Sequence, residues 1–91
     1  MIKWREELYI HSDIEDSAMD IMNDLLKKSN YNIYCIIKAL DKRNLYEILS
    51  VMELSNGMYD NKQIEIIGIA KGKKNIKEVL IDVVEAEFCK I

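Results

Sequence analysis

The chain has 91 residues, 49% apolar and 32% charged, with a formal net charge of −3. That length holds one hydrophobic core and not two, and that apolar share excludes an intrinsically disordered chain. The negative balance disfavours nucleic acid and anionic lipid as partners, and no run approaches the roughly 18 apolar residues of a membrane span, so a cytosolic domain is expected.

Residues 4–10, WREELYI, read as a weak strand. Arg5, Glu6 and Glu7 interrupt it and only Leu8, Tyr9 and Ile10 suit burial, which places it at a sheet edge or makes it start late. From Ile14 the apolar residues fall at 14, 18, 21, 22, 25 and 26, one stripe of a helix. Ser12 with Glu15 has the spacing of a capping box. Asp13, Glu15 and Asp16 in the first turn and Lys27 and Lys28 in the last agree with the helix dipole.

Residues 32–40, NIYCIIKAL, form a nearly continuous apolar run, the pattern of a strand covered on both faces. In residues 43–54 Leu45, Ile48, Leu49 and Met52 share a helical face, and Asn44 with Glu47 repeats the cap spacing, predicting a second helix that ends at Ser55-Asn56-Gly57. The alternative is a hairpin pairing residues 33–40 with 46–53. Residues 64–70, IEIIGIA, predict the third strand. Ile76, Val79, Leu80, Val83 and Val84 then make the stripe of a third helix, with Asn75 and Glu78 at the cap spacing.

The predicted order is β-α-β-α-β-α: a single small α/β domain over residues 1–91 with a three-stranded, mainly parallel sheet and its second or third strand central. Its core is expected to include Ile21, Leu25, Ile36, Ile37, Leu49, Ile66, Ile67, Leu80 and Val83.

In a parallel sheet all carboxyl ends share one rim, where ligands bind. That rim would gather Lys42 and Arg43 after the second strand with Lys71, Gly72, Lys73, Lys74 and Asn75 after the third, a candidate seat for a small anion such as a phosphate. The turn GIAKGKK has neither the GxGxxG spacing of a dinucleotide site nor the GK[ST] ending of a P-loop. Solvated lysines, or lysines meeting an acidic protein surface, are the competing readings.

Cys35 and Cys89 lie far apart and His11 is the only histidine, so no metal site, cofactor or catalytic residue is predicted. His11 and Ser12 read as cap residues. Trp4, Tyr31, Tyr34, Tyr46 and Tyr59 with Met52 and Met58 exceed the needs of one small sheet. With two open sheet edges, they point to a homo-oligomer or a protein partner.

At NLYEIL (44–49), the tyrosine and aspartate at 59 and 60 and IIGIAKGKKNIKEVL (66–80), the chain resembles a small family of uncharacterised bacterial proteins. Their pattern is an apolar strand, Asn-Leu-x-Glu-Ile, a tyrosine, Gly-(Ile/Leu)-Ala-x-Gly and an amphipathic helix. Where that family often has proline after Asn-Leu-x-Glu-Ile, this chain has Ser50. The resemblance implies a cytosolic stand-alone domain and supplies no activity and no catalytic residue.

Overall fold

The computed structural model describes residues 2–39, 46–56 and 64–88. Four strands, β1 (Ile2–Ile10), β2 (Ile33–Ala39), β3 (Glu47–Ser50) and β4 (Ile64–Lys71), form one sheet in the order β1-β4-β2-β3. The helices are α1 (Ala18–Asn23), α2 (Val51–Leu54) and α3 (Gly72–Phe88), with 3-10 turns at Ser12–Ser17 and Lys28–Asn30. The α/β class stands, but the sheet has four strands and is mixed. β4 runs parallel to β1 and antiparallel to β2, and β2 runs antiparallel to β3.

The fourth strand comes out of the segment expected to be the second helix. Residues 47–50 pair with β2, Tyr34 opposite Ser50 and Ile37 opposite Glu47, as in the hairpin alternative. Ile48 and Leu49 fit a helical stripe, but they also alternate between the two faces of a sheet, and packing decides between the readings. β2 is interior and buried on both faces, so the backbone groups on its outer side need partners that water cannot supply. Helix α2 starts only at Val51. Its cap is a reciprocal box in which the Ser50 hydroxyl accepts from the Glu53 amide at 3.1 Å and the Glu53 carboxylate accepts from the Ser50 amide at 3.0 Å. Asn44, the expected cap, lies outside the described residues.

The first helix is also shorter than its stripe. It opens as a 3-10 helix and continues as α only to Asn23. Ile14, Ala18, Ile21 and Leu25 are buried as expected, whereas Met22 is half-buried and Leu26 exposed. The tighter three-residue repeat re-phases the stripe. Ser12 does not cap it; His11 does, its Nδ1 accepting from the Asp13 amide at 3.1 Å.

Two layers of apolar side chains sandwich the sheet. On one face Ile64, Ile66 and Ile69 of β4 pack with Cys35, Ile37 and Leu49 under the segment holding Ile14, Ile21 and Leu25 and under α2. On the other, Ile36, Ile67 and Ala70 meet Ile76, Val79 and Val83 of α3. Of the expected core, Leu80 alone is half-buried; the rest are buried.

One irregularity brings α3 close. Ile36 pairs with Gly68 and its neighbour Ile37 with Ile66, so β4 carries Ile67 as an extra residue, a β-bulge. Gly68 then lies under the helix: a Cβ there would stand 2.8 Å from Cγ1 of Val79 and 3.2 Å from the Tyr9 carbonyl oxygen. At Gly72, which begins α3, φ is +82° and a Cβ would meet nothing within 4 Å.

Gly68 and Gly72 therefore resist substitution for different reasons, and urea unfolding separates them. Gly68→Ala overpacks the β4–α3 contact and is expected to cost ~1–3 kcal/mol. Gly72→Ala costs about 1–2 kcal/mol through backbone conformation alone, and Gly72→Asn, which visits the left-handed region more readily, costs less.

Candidate functional site

Helix α3 carries its charges against its own dipole. It has no acidic residue in the first turn and no basic residue in the last. Lys71 at the end of β4 and Lys73 and Lys74 in the first turn are exposed. Such a helix start is short of negative charge, and its carboxyl end is short of positive charge.

Both deficits are met by the N-terminal segment. The side-chain amide of Asn75, Nδ2, in the first turn of α3 donates to the Asp13 carboxylate. Near the far end, Arg5 of β1 donates to the Glu87 carboxylate and lies 3.4 Å from that of Glu65. Between them Nε2 of His11 stands 3.2 Å from Oε1 of Glu78. Residues 5, 11 and 13 thus bind residues 87, 78 and 75 in reverse order, along the length of the helix. β1 makes this possible by bulging: from Trp4 to Tyr9 it advances five positions while β4 advances only from Ile66 to Gly68. The extra residues free Arg5 to reach under α3 and also blunt the sheet edge with Glu6 and Glu7. Burial and the negative charge of Glu87 hold the Tyr46 phenol above its ordinary value, with Arg5 acting in the opposite sense.

A cleft of about 320 Å³ opens between the end of β1 and α3, lined among others by Tyr9, His11, Ser12, Glu15, Glu78 and Asp82. Three carboxylates make it a surface that repels anions. His11 is fully engaged in it. Its Nδ1 accepts from the Asp13 amide, so in the neutral ring the proton sits on Nε2 and is donated to Glu78. Neither nitrogen keeps a lone pair for a substrate, and general-base work would require breaking one of these bonds.

The basic residues expected to converge do not share a rim by the expected route. That route needed β2 and β4 to point the same way. Their antiparallel register sets Ile33 opposite Lys71 and Ala39 opposite Ile64, so β2 ends at the other end of β4 from Lys71. Lys42 and Arg43 themselves lie outside the described residues. Of the remaining candidates, Lys71, Lys73 and Lys74 cluster at the turn, the Gly72 amide donates to the Asn32 carbonyl at 3.0 Å, and Asn75 is occupied by Asp13.

Cys35 is fully buried, and burial pushes its thiol up to about 12, so it carries no thiolate at neutral pH. Cys89 lies outside the described residues. Among the described residues no three His, Cys, Asp or Glu side chains converge as metal ligands, and no helix is long and apolar enough to cross a membrane.

The partner of His11 escaped sequence reasoning because Glu78 is 67 positions away. The available signal was indirect: a helix start with lysines and no acid has to find its negative charge elsewhere.

If His11 serves as cap and tether, His11→Ala is expected to lower unfolding free energy by about 1–2 kcal/mol, and His11→Asn, which keeps a capping acceptor, to recover part of that loss in the same urea titration.

No family model, no curated protein and no solved structure matches this chain, so what it does has to be read from its own residues.

Proposed function

We propose that the chain is a non-enzymatic interaction module that works in the cytosol and associates with itself. One observation carries this reading. The inner face of α3 is used up in the core by Ile76, Val79 and Val83, yet its outward side still presents Ile81 at 57% and Val84 at 38% exposure. These two aliphatic side chains lie outside the core stripe, three residues apart on one side of the helix, and suit a contact surface. The engagement of both His11 nitrogens and the burial of Cys35 add support, because the side chains best able to do chemistry are committed to structure.

A second reading rests on the turn at residues 71–75. Three exposed lysines flank Gly72, where a Cβ would meet nothing within 4 Å, and a small phosphate or carboxylate would relieve their mutual repulsion. Lys71, Lys73 and Lys74 around Gly72 would then form the described part of the site; Lys42 and Arg43 lie outside the described residues.

Sedimentation equilibrium across the micromolar range tests the first reading: a mass above that of one chain, rising with concentration, is expected, and a strict monomer contradicts it. For the second, thermal shifts with phosphates, nucleotides and carboxylates are decisive. Stabilisation lost in the Lys71→Ala/Lys73→Ala variant supports an anion site at the turn, whereas a flat panel removes it.

A further inference from the structure

We propose that α3 is the self-association surface and that its occupant is the α3 of a second copy, packed antiparallel across a two-fold axis. This rests on the self-association reading and adds the surface, the partner and the orientation.

Charge is divided unevenly along the helix. Every lysine of α3 lies in its first half, at positions 73, 74 and 77, and Asp82, Glu85 and Glu87 fill its second half. Within one molecule this order opposes the dipole and gains nothing from it. Between two molecules it becomes a code for direction. Parallel α3 helices would set lysine against lysine and acid against acid. Antiparallel ones set the basic half of each against the acidic half of the other.

The apolar residues fall where such a pairing needs them. Ile81 lies one turn after Lys77 and one turn before Glu85, and Val84 is three residues on, so all four share the outward side of the helix. A two-fold axis at Ile81 stacks this residue on its own copy and brings Glu85 of each chain level with Lys77 of the other, with Lys74 about one turn beyond. Lys74, Lys77 and Glu85 are exposed and make no ion pair among the described residues, so all three are available. Glu78, the acid that would oppose Glu85 of the second copy, is drawn to the β1 side by His11.

Beside α3 on the same face of the sheet, Ile48 and Tyr46 are only partly buried and widen the apolar strip. The area remains small. A single helix pair with such a flank falls at the low end of specific interfaces, below about 1,200 Å². Association in the micromolar range, weakened by salt, is the expected strength.

Charge reversal tests this arrangement with two variants, Glu85→Lys and Lys74→Glu/Lys77→Glu, followed by sedimentation equilibrium at low salt. Each variant alone places like charges across the two-fold axis and is expected to associate about tenfold or more weakly than the wild type. An equimolar mixture of the two restores opposite charges on both sides and should recover the wild-type association. Both changes bring α3 into agreement with its dipole, so the unfolding midpoint of each monomer is expected to hold or rise, which separates a lost interface from a lost fold.

Wild-type dimers with variants that associate equally well would overturn the α3 pairing and leave self-association intact on another surface. Variants weakened alone but not rescued by mixing would also overturn it. A wild type that stays monomeric throughout removes both readings.

Discussion

The position of α3 depends on three polar contacts from the N-terminal segment: Arg5 to Glu87, His11 to Glu78 and Asp13 to Asn75. They do not supply most of the binding energy. Burying Ile76, Val79 and Val83 contributes ~1.5–3 kcal/mol for each side chain, against about 0–1 kcal/mol for each of these solvent-screened polar contacts. Apolar contact is non-directional, however, and would tolerate the helix sliding along the sheet. The polar contacts set its register, and they place a carboxylate and a guanidinium where the helix lacks compensating charge of its own. Gly68 completes the constraint by leaving room for the Val79 side chain of α3 against β4.

This division of labour explains which parts of the structure were legible in the sequence. Residues 64–70 and the helix after them announce themselves through a continuous apolar run and a clean stripe, because each buries one kind of surface over its whole length. Ile36, Ile37, Ile66 and Ile67 were recognisable as core for the same reason. The direction of β2 was not. A strand's apolar pattern is the same whichever way its neighbours run, and only the pairing of residues 47–50 with β2, through a segment whose apolar residues also fit a helix, turns the expected crossover into a hairpin. That reversal is also why the anticipated gathering of Lys42 and Arg43 with the lysines of the turn lost its basis. The turn itself was visible as an electrostatic anomaly. Its partners were not, since Arg5 meets Glu87 across 82 positions and no local spacing encodes such a contact.

The same anomaly connects fold to function. A helix with lysines first and acids last is tolerable here because Asp13 and Arg5 neutralise its ends from outside. The remaining lysines and Glu85 are then left with their charges unspent on the outward face, around Ile81 and Val84. Folding satisfies the ends of α3, and in the proposed arrangement an antiparallel second copy would satisfy its outer side. His11 contributes differently: it holds Glu78 on the β1 side, where in the proposed pairing that carboxylate would stay clear of the second copy's Glu85.

Native-state hydrogen exchange tests most directly whether the N-terminal segment holds α3 in place. If it does, amides of β1, of Ser12–Ser17 and of the buried side of α3 belong to one cooperative unit and exchange with the same opening free energy, and His11→Ala lowers that value for all of them together. An N-terminal segment that opens several kcal/mol below α3, while α3 keeps its protection in the variant, would contradict it.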